Sequence, residues 1–310
     1  MKAARRVFVR TLLCGGLWLA ICAAIGIELG EAALHPARLP FGRSDEAAAR
    51  SEAVRDQAAL ADVSLTAADG AILRGWSMRP AAGNGDAVIL LHGQADNRAG
   101  MLGPAHLLLR HGYSVLLPDA RAHGASGGAI ATYGLLEAGD IRRWIDWLER
   151  AETPHCIYGL GDSMGAGQLL QSLAQVPEFC AVVAESTFSS FREAAYDRVG
   201  QTFRSGSWLG RTLLRPAIEE GMLYARFRYA VNLEAASPEW RVAQTQVPVL
   251  LIHGLADTNL PPRHSERIKA ANPDVVLWEP LGADHCGAST AAPAEYERRV
   301  LGWFSGHPVR

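Results

Sequence analysis

The amino-acid sequence predicts an α/β fold, a mostly parallel sheet with helices on both faces. Short apolar runs, broken only by Ser114, recur at residues 87–91, 113–117, 180–184, 248–252 and 275–278. Helix-period stretches separate most of them, and apolar runs without polar alternation belong to strands buried on both faces. Several runs end on chemistry-bearing pairs, His92-Gly93, Pro118-Asp119 and His253-Gly254, and in open parallel sheets function gathers at such carboxyl ends. Of the 310 residues 49% are hydrophobic and 20% charged, which excludes a disordered chain and suits one large domain behind the N-terminal segment.

That segment reads separately. Lys2, Arg5, Arg6 and Arg10 come first, with no acidic residue before Glu28, and residues 11–27 form an uncharged apolar run of 17 residues. This meets the lower limit of about 17 residues for a membrane-spanning helix and exceeds the ~7–15-residue core of most signal peptides. Residues 1–34 therefore read as a signal anchor that binds the membrane through its helix. The rival is a cleaved signal with small residues at Gly30-Glu31-Ala32. A lipoprotein site at Cys22 is disfavoured by bulky Ile21, and a buried core helix fits poorly with the one-sided basic flank. Either leading reading keeps the basic flank inside and sends the body out of the cytoplasm, anchored (on the periplasmic side in a bacterium) or secreted. A formal net charge of −2 gives no basic stripe for nucleic acid.

Residues 35–61 form a polar, alanine-rich connector, a spacer with a helical piece, and residues 62–310 form the body. Alternating apolar residues flank Asp69-Gly70, which predicts a β-hairpin. Helices are expected near 98–110, near 134–150 with Leu135, Ile141, Trp144, Ile145 and Leu148 on one face, and near 293–304. A short strand at 155–158 leads through GLGDSMGAG (159–167) into a helix that begins QLLQSLAQV. Between the runs at 180–184 and 248–252 lies an insertion of about 60 residues, 187–246. Ordinary connections span about 2–6 residues. The insertion is rich in arginine and aromatic residues, among them Phe188, Phe203, Trp208, Tyr224 and Trp240, and reads as a helical cap over the site. Most of its aromatics would fasten it to the body, and a few would line a pocket.

Three chemistries compete for GLGDSMGAG. A phosphate-binding P-loop needs Gly-Lys, which is missing, and a dinucleotide fingerprint fails because Met164 stands where its third glycine belongs. The third is G-x-S-x-G, Gly161-Asp162-Ser163-Met164-Gly165, a strained strand-to-helix turn that projects a nucleophilic serine. Side chains at Gly161 or Gly165 would crowd the strand or helix, and the helix N-terminus favours developing negative charge. A nucleophilic serine needs a histidine base and an orienting acid, which on such a sheet arrive in the order Ser, acid, His. Ser163, Asp257 in HGLAD and His285 in GADH arrive in that order, each on a loop after a strand. The competing acids are Glu185 at the end of the strand after the turn, Asp284 beside His285, and Asp162, which reads as loop support. His123 in ARAHGASGG reads as an organiser of its own loop. The oxyanion hole is expected from the backbone N–H groups of Met164 and Gln94. With no HExxH and no close His/Cys/Asp cluster along the chain, no metal site is expected. Of the five cysteines, Cys14 and Cys22 lie in the apolar run, and Cys286 reads as a packed loop residue. Cys156 and Cys180 begin sequential strands that should be neighbours, so a disulfide competes there with two buried thiols.

The stretches LLHGQADN, LLPDARAHGASGG, YGLGDSMGAG, LLIHGLADTNLPPRHSERI and GADHCG resemble the α/β-hydrolase superfamily, near its serine-aminopeptidase and monoacylglycerol-lipase-like branch. The resemblance covers residues from about 63 to 305. It implies an eight-stranded sheet, a cap after the sixth strand and a Ser-His-Asp triad at Ser163, His285 and Asp257. Two departures stand out: Ala122 replaces a usual glycine, and Asp162 stands where His or Glu is common, a position from which it would raise the basicity of His285. The expected activity is hydrolysis of a carboxylic ester or related acyl bond through an acyl-enzyme, without a cofactor. The aromatic-rich insertion favours an apolar acyl or aromatic group in a small-molecule substrate. A serine peptidase, anchoring a peptide terminus on Glu193, Glu219 or Glu220, is the alternative, and a non-catalytic binding protein on the same fold is a more distant one.

Overall fold

The computed structural model describes residues 2–308. Eight strands form one sheet: β1 (Ala58–Thr66), β2 (Ile72–Pro80), β3 (Ala87–Leu91), β4 (Ser114–Pro118), β5 (Ile157–Asp162), β6 (Ala181–Glu185), β7 (Val249–Ile252) and β8 (Val276–Trp278). Their spatial order is β1-β2-β4-β3-β5-β6-β7-β8. β2 runs antiparallel to β1 and β4, and every other pair is parallel. Helices α1 (Lys2–Leu34) and α2 (Arg43–Arg55) precede the sheet. α3 (Leu102–Arg110), α4 (Glu137–Glu152) and α5 (Met164–Ser172) connect strands up to β6. Between β6 and β7 lie α6 (Phe191–Thr202), α7 (Trp208–Arg211), α8 (Arg215–Tyr229) and α9 (Pro238–Val242). α10 (Arg263–Ala271) leads to β8, and α11 (Ala288–Ala291) and α12 (Pro293–Ser305) close the chain.

Alternation along β3 divides the core into two layers. Ile89 and Leu91 pack on one face with Leu116, Trp144, Ile145, Leu148 and Leu169. Val88 and Leu90 pack on the other with Trp76, Leu117, Tyr158, Leu160 and Phe304. The helical spacing of Ile141, Trp144, Ile145 and Leu148 turns one face of α4 onto the sheet. Truncating fully buried Leu148 to alanine would cost about 2–5 kcal/mol.

Three details differ from the sequence expectation. β1 starts at Ala58, inside the expected connector, because Ala58–Ala61 pair with Ser77–Pro80. β5 runs on to Asp162, so Gly159 and Gly161 belong to the strand and not to a turn. They are glycines because α5 folds back closely: a Cβ on Gly159 would lie 2.6 Å from Leu169 Cδ1, and one on Gly161 2.8 Å from Ala166 N. The long insertion is also divided. Residues 191–235 form a compact unit with α1, whereas 187–190 and 236–246 belong to the unit that holds the sheet.

The smaller unit is built on close helix contact. A Cβ on Gly26 of α1 would lie 2.5 Å from Ala217 O, and one on Gly30 would lie 3.0 Å from Gly221 O. Backbones approach this closely only across small residues. Tyr224 and Tyr229 of α8 donate their hydroxyls to Glu31 Oε1 at 2.5 and 2.7 Å. Arg192 pairs with Glu219 and Glu234 at 3.0 Å each, and Arg211 pairs with Glu193. Residues 4–34 of α1 make it long and apolar enough to cross a membrane. In the larger unit, Cys156 and Cys180 are disulfide-bonded and join the starts of β5 and β6.

Candidate active site

The carboxyl ends of β5, β7 and β8 bring Ser163, Asp257 and His285 together. Ser163 Oγ lies 2.8 Å from His285 Nε2, and His285 Nδ1 lies 2.8 Å from Asp257 Oδ2. Ser163 has φ +52° and ψ −113°, a strained backbone at the junction of β5 and α5. Gly165 is required there, because a Cβ would collide with Leu91 O and lie 2.6 Å from His92 O. The Ser163 N–H donates to Glu185 O at 2.8 Å, which fixes the turn against β6.

Asp257 is held as an acceptor. Its Oδ1 receives the N–H groups of Asn259 and Leu260, both at 2.9 Å, and its side chain is fully buried. Burial pushes its carboxyl up, but hydrogen bonds from His253 and His285 outweigh that and hold it well below the usual carboxylate range. His253 lies 3.3 Å from Asp257 Oδ2 and is itself fixed by Ser265 Oγ at 2.7 Å and Leu260 O at 2.8 Å. The loops after β7 and β8 are joined by Ala256 N–H to Ala283 O at 2.9 Å. Gly254 permits this approach, since a Cβ there would strike Ala283 O.

The expected oxyanion donors lie on either side of the serine. Met164 is the first residue of α5, where an N–H has no intrahelical acceptor. Gln94 follows Gly93, whose Cβ position would lie 3.5 Å from Ser163 Cβ. The Gln94 side chain donates to Tyr133 OH at 3.3 Å. His92 braces this loop: Ala120 N–H donates to its Nε2 at 3.0 Å, so Nδ1 carries the proton and donates to Gly93 O at 2.8 Å.

The competing acids serve elsewhere. Glu185 accepts the Ala288 N–H at 2.9 Å, and Ser186 Oγ accepts the Cys286 N–H at 3.0 Å, so the end of β6 grips the His285 loop from both sides. Sequence reading missed this grip. Asp284 Oδ1 accepts the His285 N–H at 2.8 Å. Asp162 faces Glu185 across β5 and β6, and its Oδ1 is buried without a hydrogen-bond partner. Burial, with Glu185 and Asp96 nearby, pushes the Asp162 carboxyl well above its ordinary value. Burial likewise pushes Glu185 up to about 7. Cys286 is pushed up by burial and these same acids, so it stays a thiol. His123 donates Nδ1 to Arg121 O at 2.9 Å, and burial pushes it down to about 4.

Two other features lie apart from this centre. Glu52, Asp56 and His106 converge, but Arg55 pairs with both acids and His106 Nδ1 lies 2.8 Å from Asp56 Oδ1, so the group is satisfied by its own ion pairs. A cavity of about 630 Å³, lined by His155, Pro177, Cys180, Arg241 and Pro248, sits at the amino ends of β5 to β7, opposite Ser163.

A family model described as the alpha/beta hydrolase fold matches residues 86–208. The uncharacterized protein YqkD of Bacillus subtilis is 28% identical over 187 residues, 58% of either chain. The uncharacterized protein Rv2307c of Mycobacterium tuberculosis is 32% identical over 215 residues, 68% of this chain and 66% of that one. The chain thus spans 58% and 66% of the lengths of these relatives. Esterase Pf2001 of Pyrococcus furiosus superposes with a TM-score of 0.67 at 27% identity, over 90% of this chain and 99% of that one. The acylaminoacyl peptidase of Pyrococcus horikoshii shares the fold, with a TM-score of 0.60 at 18% identity over 82% of this chain and 42% of that one. In sheet order, in helix placement and in these likenesses, the chain has the α/β-hydrolase fold.

Proposed function

We propose that the protein is a serine hydrolase that cleaves a carboxylic ester or a related acyl bond. The observation that carries this reading is the continuous chain from Ser163 Oγ through His285 to Asp257, 2.8 Å at each link. His285 Nε2 takes the serine proton as Oγ attacks the substrate carbonyl. Asp257, kept ionised by its hydrogen bonds, holds the Nδ1–H tautomer and stabilises the imidazolium. The N–H groups of Met164 and Gln94 receive the oxyanion, a contribution of about 2.7–4 kcal/mol for a single donor. His285 then returns the proton to the leaving group, and water repeats the sequence on the acyl-enzyme.

In this reading α1 is retained as an anchor, and the body lies outside the cytoplasm. The close α1–α8 seam supports retention, because a cleaved signal would take half of that contact with it. The candidate cleavage stretch lies on the packed helix, where Glu31 receives two tyrosine hydroxyls.

The test is labelling of the full-length protein in detergent with a fluorophosphonate, beside Ser163→Ala. Labelling that disappears in the variant supports an activated serine, and labelling that persists rejects Ser163. Hydrolysis of p-nitrophenyl esters compared with aminoacyl anilides then separates ester from amide preference.

A further inference from the structure

The register between α1 and α8 shows where α1 leaves its partner. Gly26 meets Ala217 and Gly221, Gly30 meets Gly221 and Tyr224, and Glu31 meets Tyr224 and Tyr229. Contacts rise together along both helices, so the two run parallel. The start of α8 at Arg215 is therefore level with about residue 20 of α1, at about 1.5 Å per residue. Residues 4–20 continue beyond α8, with Val7, Leu13 and Leu17 each more than 60% exposed. That free stretch is about 25 Å long: Arg5, Arg6 and Arg10 stand in its first half, where long side chains reach back toward the opposite headgroups, and residues 11–20, about 15 Å, are its uncharged part. The membrane face on the α8 side of this stretch then falls at the level of α7 and the start of α8.

The chain at that level has the chemistry of an interfacial surface. Trp208 is 65% exposed and Leu213 54% exposed, with Phe203 also exposed. From Asp197 to Glu219 the sequence carries Arg198, Arg204, Arg211 and Arg215 and no acidic residue between. Arg204 is exposed, and Arg215 is largely exposed, 3.6 Å from Glu219. α7 turns directly into α8 through Leu214 N–H to Leu209 O at 2.9 Å, which holds Trp208 and Leu213 beside the exit point of α1. Tryptophan favours the headgroup level, and arginines over apolar side chains suit anionic headgroups.

We infer that residues 203–215 form a lipid-facing surface that rests on an anionic bilayer where α1 enters it. Trp208 and Leu213 dip below the headgroups, and Arg204 and Arg215 meet lipid phosphates. This rests on the reading of α1 as a retained anchor, and two tryptophans separate the two claims, Trp18 inside α1 and Trp208 on the patch.

The experiment uses the full chain in vesicles of phosphatidylcholine and phosphatidylglycerol with acyl chains brominated near the headgroup or near the midplane. Emission differences between wild type and Trp18→Phe, and between wild type and Trp208→Phe, isolate each tryptophan. The expected result is quenching of Trp18 by a brominated bilayer, and loss of most of the Trp208 signal with headgroup-proximal bromine only. Replacing phosphatidylglycerol by phosphatidylcholine, or combining Arg204→Gln with Arg215→Gln, reduces Trp208 quenching and leaves Trp18 quenching intact. Quenched Trp18 with silent Trp208 overturns the surface while sparing the anchor. Silence of both overturns both. Trp208 quenching indifferent to anionic lipid and to the arginines overturns the assignment to an anionic surface.

Discussion

Glu185 ties Ser163 in place through its peptide oxygen, which accepts the serine N–H at 2.8 Å, while its side chain holds the His285 loop at Ala288. Asp257, not Glu185, lies against His285 Nδ1. Asp257→Asn is therefore expected to lower kcat/KM by about 10⁴-fold through loss of the productive tautomer. Glu185→Gln keeps an acceptor for Ala288 and is expected to cost no more than about tenfold. Steady-state kinetics on an ester substrate compares them, and a larger loss from Glu185→Gln would move the orienting acid to Glu185.

The same end of β6 sets a pH dependence of stability. Burial raises the Glu185 carboxyl from 4.5 to about 7 in the fold. A group raised in this way stabilises the folded state below its unfolded value and loses that contribution as pH rises through the folded value. Tm is therefore expected to fall between pH 5 and pH 8, and Glu185→Gln to flatten that fall. Asp162, also raised, adds to the slope in the same direction. Thermal unfolding at the two pH values checks this, and an unchanged slope in Glu185→Gln rejects it.

With Cys156 and Cys180 bonded, Cys14, Cys22 and Cys286 are the free cysteines. Thiol counting under denaturing, non-reducing conditions should find those three, and reduction should reveal two more. Removing the bridge as Cys156→Ser with Cys180→Ser is expected to cost about 2–4 kcal/mol. Five thiols before reduction would contradict both the bridge and an oxidising destination for the body.

Arg121 binds Asp140 through Nε at 2.7 Å and Nη2 at 2.9 Å, and reaches Asp69 in the β1–β2 turn at 2.9 Å. Its side chain and that of Asp140 are less than a tenth exposed. Arg121→Met leaves a buried carboxylate without its partner and should destabilise the fold by about 3–5 kcal/mol. Denaturant unfolding measures the loss, and the Arg121→Met, Asp140→Leu pair should recover part of it.

The strand ends were legible because each motif stands directly after an apolar run, so order along the chain placed Ser163, Asp257 and His285 on one edge of the sheet. The strain at Ser163 could be anticipated from Gly161 and Gly165. The grip on the His285 loop could not, because Glu185 and Ala288 meet across 103 positions and neither belongs to a local pattern. The state of Asp162 depends on the depth at which its Oδ1 is buried, which adjacent letters do not encode. The start of β1 inside residues 35–61 was not legible, because Ala58–Ala61 carry little side-chain signal of a strand. The α1–α8 contact had a trace in the sequence, the four-residue spacing of Gly26 and Gly30, but Ala217 and Gly221 on the partner helix are too far along the chain to pair with it by inspection.

Membrane tethers are ordinarily interchangeable parts, since any sufficiently apolar helix keeps a protein at a bilayer. On the proposed reading of α1 as an anchor, the glycine seam removes that freedom here. A substitute helix with side chains at positions 26 and 30 would still attach the chain, yet it would leave α8 with an uncovered small-residue face and two tyrosines without their carboxylate. On that reading, attachment and the folding of residues 191–235 are inherited together, and neither can be transplanted without the other.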